Sequence, residues 1–150
     1  MCNYNHKLQT HIDQERKGIF SVYNNTRGDI EEGDYVSFNH FFTNHGNTFD
    51  LETGTFKVPF NGVYEFSFFT MYHCVYFRCA KVAVEVNDKE ILSFFAYKDK
   101  IGDGHTATLS HGWILDLNKE DKVRLKVKEG AIVIYKDSYT TFNGKCIKYL

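Results

Sequence analysis

The chain is short of the residues that mark most alternatives to an ordinary folded domain. It has one proline (Pro59), one tryptophan, two methionines and four cysteines in 150 residues. No apolar run approaches the ~20 residues of a membrane span. No Gly-X-Y repeat occurs, which excludes a collagen stalk within this sequence. Charge of either sign is not in excess: 18 Lys and Arg face 19 Asp and Glu, for a net charge of −1. That balance gives no reason to expect nucleic acid or an anionic membrane as the main partner. The first 18 residues are polar and charged, without the hydrophobic segment of a secretory signal. Either such a segment was removed, or export by the ordinary route is not used.

Catalytic signatures are missing too. There is no Gly-x-Ser-x-Gly elbow, no phosphate-cradling glycine loop and no His-Glu-x-x-His helix. Ser110 and His111 are sequence neighbours, so on a strand they face opposite sides and cannot act directly as nucleophile and base. His73, Cys74 and Cys79 offer one candidate zinc pair, whereas a structural zinc site usually takes two. No enzyme activity is expected.

Aromatic residues are abundant, with 14 Phe and 10 Tyr. From residue 19 onward the chain reads as short strands separated by turn residues, over 19–24, 35–42, 55–58, 63–72, 81–86, 90–97, 106–117, 122–128 and 139–150. Asn87-Asp88 is a hairpin signal between two of them. Val123, Leu125 and Val127 alternate with Arg124, Lys126 and Lys128, as in a strand with one face in a core. Asn61-Gly62 is expected to supply a positive φ ahead of the strand at 63–72. Sustained helical periodicity is absent, so residues 1–18 are expected to be a flexible lead-in to one domain over 19–150. The pattern predicts an all-β sandwich.

Eight residues carry a sharper signal: Phe38, Asn44, Phe49, Phe56, Gly62, Tyr64, Phe66 and Phe68. Their spacing is Phe, five residues, Asn, four, Phe, six, Phe, five, then Gly-x-Tyr-x-Phe-x-Phe. On this pattern the chain resembles the globular head domain of the complement C1q family. The resemblance implies a TNF-like jelly roll of roughly ten strands, assembled as a homotrimer, with loops at its far end contacting carbohydrate, microbial-surface or protein ligands. It points to a secreted, lectin-like pattern-recognition protein of innate immunity.

The loop over 98–105, with Lys98, Asp99, Lys100, Asp103 and His105, is the expected ligand-binding segment, because binding residues concentrate on loops of a rigid scaffold. Some members of the family bind calcium through an Asp-Gln pair, and alignment puts Ala107 and Thr108 at that place. Asp99 and Asp103 stand close enough in sequence to serve as calcium ligands instead.

Other signals leave alternatives open. Arg27-Gly28-Asp29 is a tripeptide that integrins recognise and is expected on an exposed turn, which would suit a matrix or adhesion protein. Asn24-Asn25-Thr26 is a glycosylation sequon, meaningful in a secreted chain. Cys74 and Cys79 bracket an expected turn and would bridge in an oxidising compartment. Cys2 and Cys146 lie near termini that the implied fold brings together, so they too are candidates to pair. If all four thiols stay reduced, an intracellular interaction domain is the alternative. Finally, Val63 and Phe69 oppose the aromatic face of their strand, and Phe41-Phe42 stand side by side on opposite faces. A sheet apolar on both faces needs a cover, and the resemblance implies that further copies of the chain supply it.

Overall fold

The computed structural model describes residues 2–15, 17–73, 79–97, 106–137 and 139–150. Its strands are β1 (Ile19–Asn24), β2 (Gly28–Glu31), β3 (His40–His45), β4 (Phe49–Asp50), β5 (Thr55–Lys57), β6 (Gly62–His73), β7 (Cys79–Val86), β8 (Lys89–Tyr97), β9 (Thr106–Leu117), β10 (Lys122–Ile134) and β11 (Thr140–Tyr149). All pairings are antiparallel. A front sheet runs β3-β1-β11-β6-β9, and a back sheet runs β4-β5-β10-β7-β8. The result is the all-β sandwich expected from the alternating strands, arranged as the jelly roll that the resemblance implied.

β10 joins the two sheets. Its first part pairs with β7 in the back sheet, and the register slips between Val127 and Glu129. Beyond the slip, Ile132 and Val133 pair with Tyr72 and Met71 of β6, while the same segment pairs with β2. Gly130 makes this corner possible. Its φ is +66°, and a Cβ there would sit 2.0 Å from the carbonyl oxygen of Cys79, so only glycine fits. The β7–β8 hairpin turns on Asn87 and Asp88, whose φ values are 52° and 66°, as a tight two-residue turn demands.

The core lies between the sheets and is aromatic. Phe20 is packed by Phe56 (4.7 Å between ring centroids), Phe49 (4.9 Å) and Phe142 (5.0 Å). Trp113 stacks over Phe66 at 5.6 Å. Val82, Val84, Val123, Leu125 and Val127 fill the back-sheet side and are fully buried. Each such side chain contributes roughly 1.5–3 kcal/mol by leaving water.

Some expectations change. Residues Cys2–Glu15 form helix α1 in the segment expected to lack regular structure. Side chains 3–10 are exposed, so that part of the helix forms without a buried face. The expected strand over 35–42 is displaced to β3. Val36 and Phe38 are buried, yet this segment is held by isolated backbone bonds, among them Val36 N to Leu125 O at 2.8 Å and Asn39 N to Tyr23 O at 3.0 Å. Gly62 does not take a positive φ. It is small for another reason: a Cβ would meet Lys148 O at 2.8 Å and Cys146 Sγ at 3.2 Å.

Candidate recognition surfaces

The signature residues are structural. Phe38, Phe49, Phe56, Tyr64, Phe66 and Phe68 are buried in the core. Asn44 organises the turn into β4, its Oδ1 accepting from the backbone N–H groups of Thr48 (3.2 Å) and Phe49 (3.3 Å). Tyr64 donates its hydroxyl to Phe60 O at 2.8 Å, and burial raises its pKa, with Cys146 beside it adding to the rise.

The register sorts the loops into two ends. Asn24, His73, Cys79, Tyr97, Thr106, Ile134 and Thr140 mark one end of the sandwich, opposite Ile19 and Tyr149. Arg27 lies at the first of these ends, with all three residues of Arg27-Gly28-Asp29 exposed. Gly28 and Asp29 are not in a turn, however. They pair with Ile134 and Val133 as the start of β2. The candidate loop with Lys98, Asp99, Lys100, Asp103 and His105 lies outside the described residues, as does Cys74, although the strand ends flanking that loop, Tyr97 and Thr106, belong to the same end. Ala107 is half-buried and Thr108 exposed. Among the described residues no cluster of three or more His, Cys, Asp or Glu could hold a metal.

The sequon is closed. Asn24 is only 6% exposed. Its Nδ2, the atom a glycan would take, donates to Ser37 O at 2.9 Å, and its Oδ1 accepts from Thr26 N at 2.9 Å. The side chain ties two crossing segments together and is unavailable in the folded state. The Cys79 thiol lies 3.9 Å from Glu129 Oε2; burial raises its pKa and the carboxylate adds to the rise, so it is a poor nucleophile. Ser110 and His111 do face opposite sides of β9, with the His111 ring against Phe94 at 5.3 Å.

Among the described residues, two groups of exposed apolar side chains on the sandwich stand out. On the outer face of the front sheet, Tyr23 gathers Phe42 (4.3 Å), Tyr139 (4.8 Å) and His40 (5.0 Å). Phe69, Met71 and Val63 are half-buried on the same face of β6, and Ile114 beside them is 58% exposed. Phe41 turns the other way. Between these groups runs a polar row in which Ser21 donates to Asn143 Oδ1 and Asn143 Nδ2 donates to Ser67 Oγ (3.1 Å). The second surface lies along β8, which among the described residues pairs with β7 alone. Its outward side chains Ile91, Phe95 and Tyr97 are each about half exposed.

A groove of about 710 Å³ near Phe41 is bordered by Asp50, Lys57, Asp88 and Arg124. Its charges are largely satisfied within the chain. Lys57 pairs with Glu120 at 2.8 Å and Arg124 with Asp88 at 2.6 Å, while Asp50 caps its own turn. Behind it, Arg124 lies 3.5 Å above the Tyr35 ring, and the Tyr35 hydroxyl donates to the buried Glu85 at 2.8 Å. Sequence reasoning missed this network, because nothing in the spacing of Tyr35, Glu85 and Arg124 announces that they meet.

This architecture is that of the C1q and TNF heads, and comparison with known proteins agrees. The C1q domain family model matches residues 19–147. The chain therefore belongs to the C1q domain family. It is 34% identical over 141 residues to complement C1q tumor necrosis factor-related protein 3 of Mus musculus, and equally to that of Homo sapiens, covering 91% of this chain and 47% of each relative. The chain thus spans about half the length of these curated relatives. Among solved structures, the globular domain of zebrafish complement 1qA superposes with a TM-score of 0.70 at 23% identity, covering 89% of this chain and all of that one. The Eiger TNF of S. frugiperda gives 0.73 at 12% identity over 90% of this chain and 96% of that one. Both likenesses concern the fold.

Proposed function

We propose that this protein is a non-enzymatic, homotrimeric recognition module, secreted and lectin-like, that binds microbial-surface or carbohydrate ligands in innate defence. The observation that carries the trimer is the pair of unlike apolar surfaces, the outer face of the front sheet and the β8 edge. A threefold ring is built from heterologous contacts, so each copy must offer two different patches that fit one another. Large apolar patches left in water usually mark such interfaces. Kinship with C1q/TNF-related proteins supports the same reading. Three copies would set three equal binding ends side by side, so weak individual contacts gain avidity of up to ~100-fold or more without any new contact.

The proposed ligand-binding segment is the loop with Lys98, Asp99, Lys100, Asp103 and His105, with calcium as a candidate ion on Asp99 and Asp103. Adhesion through Arg27-Gly28-Asp29 is the less favoured reading, because its Gly28 and Asp29 backbones are held in a ladder rather than on a projecting turn. The test is a glycan and microbial-surface binding screen, with and without a calcium chelator, repeated on a variant with alanine at all five loop positions. Binding that vanishes in the variant supports the assignment. Unchanged affinity for every ligand detected would refute it.

A further inference from the structure

The groove near Phe41 lies on the outer face of the back sheet. Phe49, Phe56 and Val123 face one another across the β4–β5–β10 ladders and point into the core. Asp50, Thr55, Lys57, Lys122 and Arg124 alternate with them and so point outward. The groove crosses β4, β5 and β10 and ends at the Asn87-Asp88 turn. At ~4.8 Å per strand spacing it is about 14 Å long. It sits near the start of β10 and the end of β7, at the end of the sandwich opposite Cys79 and Ile134. It is therefore remote from the loop over 98–105, and on the other side of the sandwich from the outer front sheet.

Charge along the groove is balanced. Among the described residues that line it, Asp50, Glu52 and Asp88 are matched by Lys57, Lys122 and Arg124. A ligand of either sign meets as many repelling groups as attracting ones. An uncharged ligand rich in hydroxyls meets a mixed array of acceptors and donors instead, and each hydroxyl can use both. Two of these groups are already held in place. Asp50 accepts from Glu52 N at 2.9 Å and from Thr53 Oγ1 at 3.1 Å, and Arg124 is fixed by Asp88 at 2.6 Å and by the Tyr35 ring at 3.5 Å. Both keep hydrogen-bonding capacity to spare, and their fixed positions lower the ordering cost of binding.

Two further observations point to a ligand. Phe41, 42% exposed, borders the groove as a flat apolar platform, the kind of surface on which the C–H face of a pyranose ring packs. Thr48 stands in the wall and is only 9% exposed. Its backbone is engaged, N–H to Asn44 Oδ1 at 3.2 Å and C=O to Lys57 N at 2.8 Å, yet its hydroxyl is buried with no partner among the described residues. A buried hydroxyl of that kind calls for a partner from outside the chain. The volume, about 710 Å³, is that of a small-molecule site.

We infer that this groove is a saccharide site, separate from the loop over 98–105, that takes an uncharged glycan chain laid across β5 and β10. One ring rests on Phe41, and the hydroxyls of its neighbours are shared between Asp50, Lys122 and Arg124. The site rests on the recognition reading above for the existence of a glycan partner, but it needs neither that loop nor the trimer.

Isothermal titration of the full chain tests it, with uncharged tetrasaccharides of glucose, mannose and N-acetylglucosamine set against a sulfated tetrasaccharide. At least one uncharged probe is expected to bind and to protect residues 47–57 and 122–124 from hydrogen exchange. Phe41→Ala is expected to weaken that binding by about 10-fold or more, and Phe41→Tyr, which restores the platform, to recover it. The exchange map decides the case even if Phe41→Ala fails to fold. No binding by any uncharged probe, tighter binding of the sulfated one, or protection confined to other segments overturns the inference. An affinity that a folded Phe41→Ala leaves unchanged does the same. If binding is lost instead in the variant with alanine at the five loop positions, the recognition reading stands without the groove. A chain that binds no glycan and no microbial surface overturns both.

Discussion

Gly144→Ala is expected to be among the most damaging single-methyl changes in this domain. Gly144 faces the core from β11, and a Cβ there would lie 2.3 Å from Phe20 Cε1, 2.8 Å from Phe20 Cζ and 2.9 Å from Phe66 Cδ1. The first distance is more than an ångström short of the 3.4–4 Å of ordinary contact. A phenylalanine ring with open space beside it swings aside at little cost. Here Phe20 is hemmed in by Phe49, Phe56 and Phe142 at 4.7–5.0 Å, so moving it disturbs the whole cluster. Overpacking of this kind costs about 1–3 kcal/mol, and the confinement argues for the upper end. The better backbone preference of alanine returns only about 0.5–1 kcal/mol. The net loss is about 2 kcal/mol, a fall in Tm of roughly 4–8 °C for a chain of this size. Thermal unfolding followed by circular dichroism at matched protein concentration measures it. Phe20→Leu, which shortens the obstructing ring, should recover part of the loss in the double variant, giving a coupling of about 1 kcal/mol. A Tm within about 2 °C of the parent, or strictly additive effects in the double variant, would refute the packing argument.

Two further outcomes follow from the site. Asn24→Ala leaves Ser37 O and Thr26 N without their buried partner and should cost about 1–3 kcal/mol in denaturant unfolding; chains produced through a secretory pathway should show no glycan on Asn24 by intact mass, and a stoichiometric glycan there would contradict the closed geometry. Stability should also fall in alkali. The pKa values of Tyr35 and Tyr64 are raised above their usual 10.0, in both cases first by burial. For an acid held protonated by the fold, the stabilisation is complete below the unfolded pKa and is lost as pH rises toward the folded one. Urea midpoints should therefore be level from pH 7 to 9 and decline above about pH 10, with a shallower decline in Tyr64→Phe; an unchanged slope in that variant would exclude Tyr64 as a source.

Where one face of a strand meets the core, the sequence was readable. The alternation of Val123, Leu125 and Val127 gave the first part of β10 but not its continuation to Ile134, Asn87-Asp88 gave the hairpin, and Val63 with Phe69 pointed to a second apolar face. β2 was not readable, since Gly28-Asp29-Ile30-Glu31 holds a single apolar residue and exists because β10 offers it an edge. Val36 and Phe38 alternate like strand residues because they are buried, although their backbones pair only at isolated points. Asn24 read as a glycan acceptor because a sequon records identity and not burial.

The proposed recognition function rests on assembly of the chain as a homotrimer. Light scattering coupled to size-exclusion chromatography on the purified protein at micromolar concentration tests it most directly. The account predicts a mass near three times the 17.5 kDa of a single chain, with no folded monomer at that concentration. A folded species near one chain mass would contradict it, and with it the avidity on which the proposed recognition function depends.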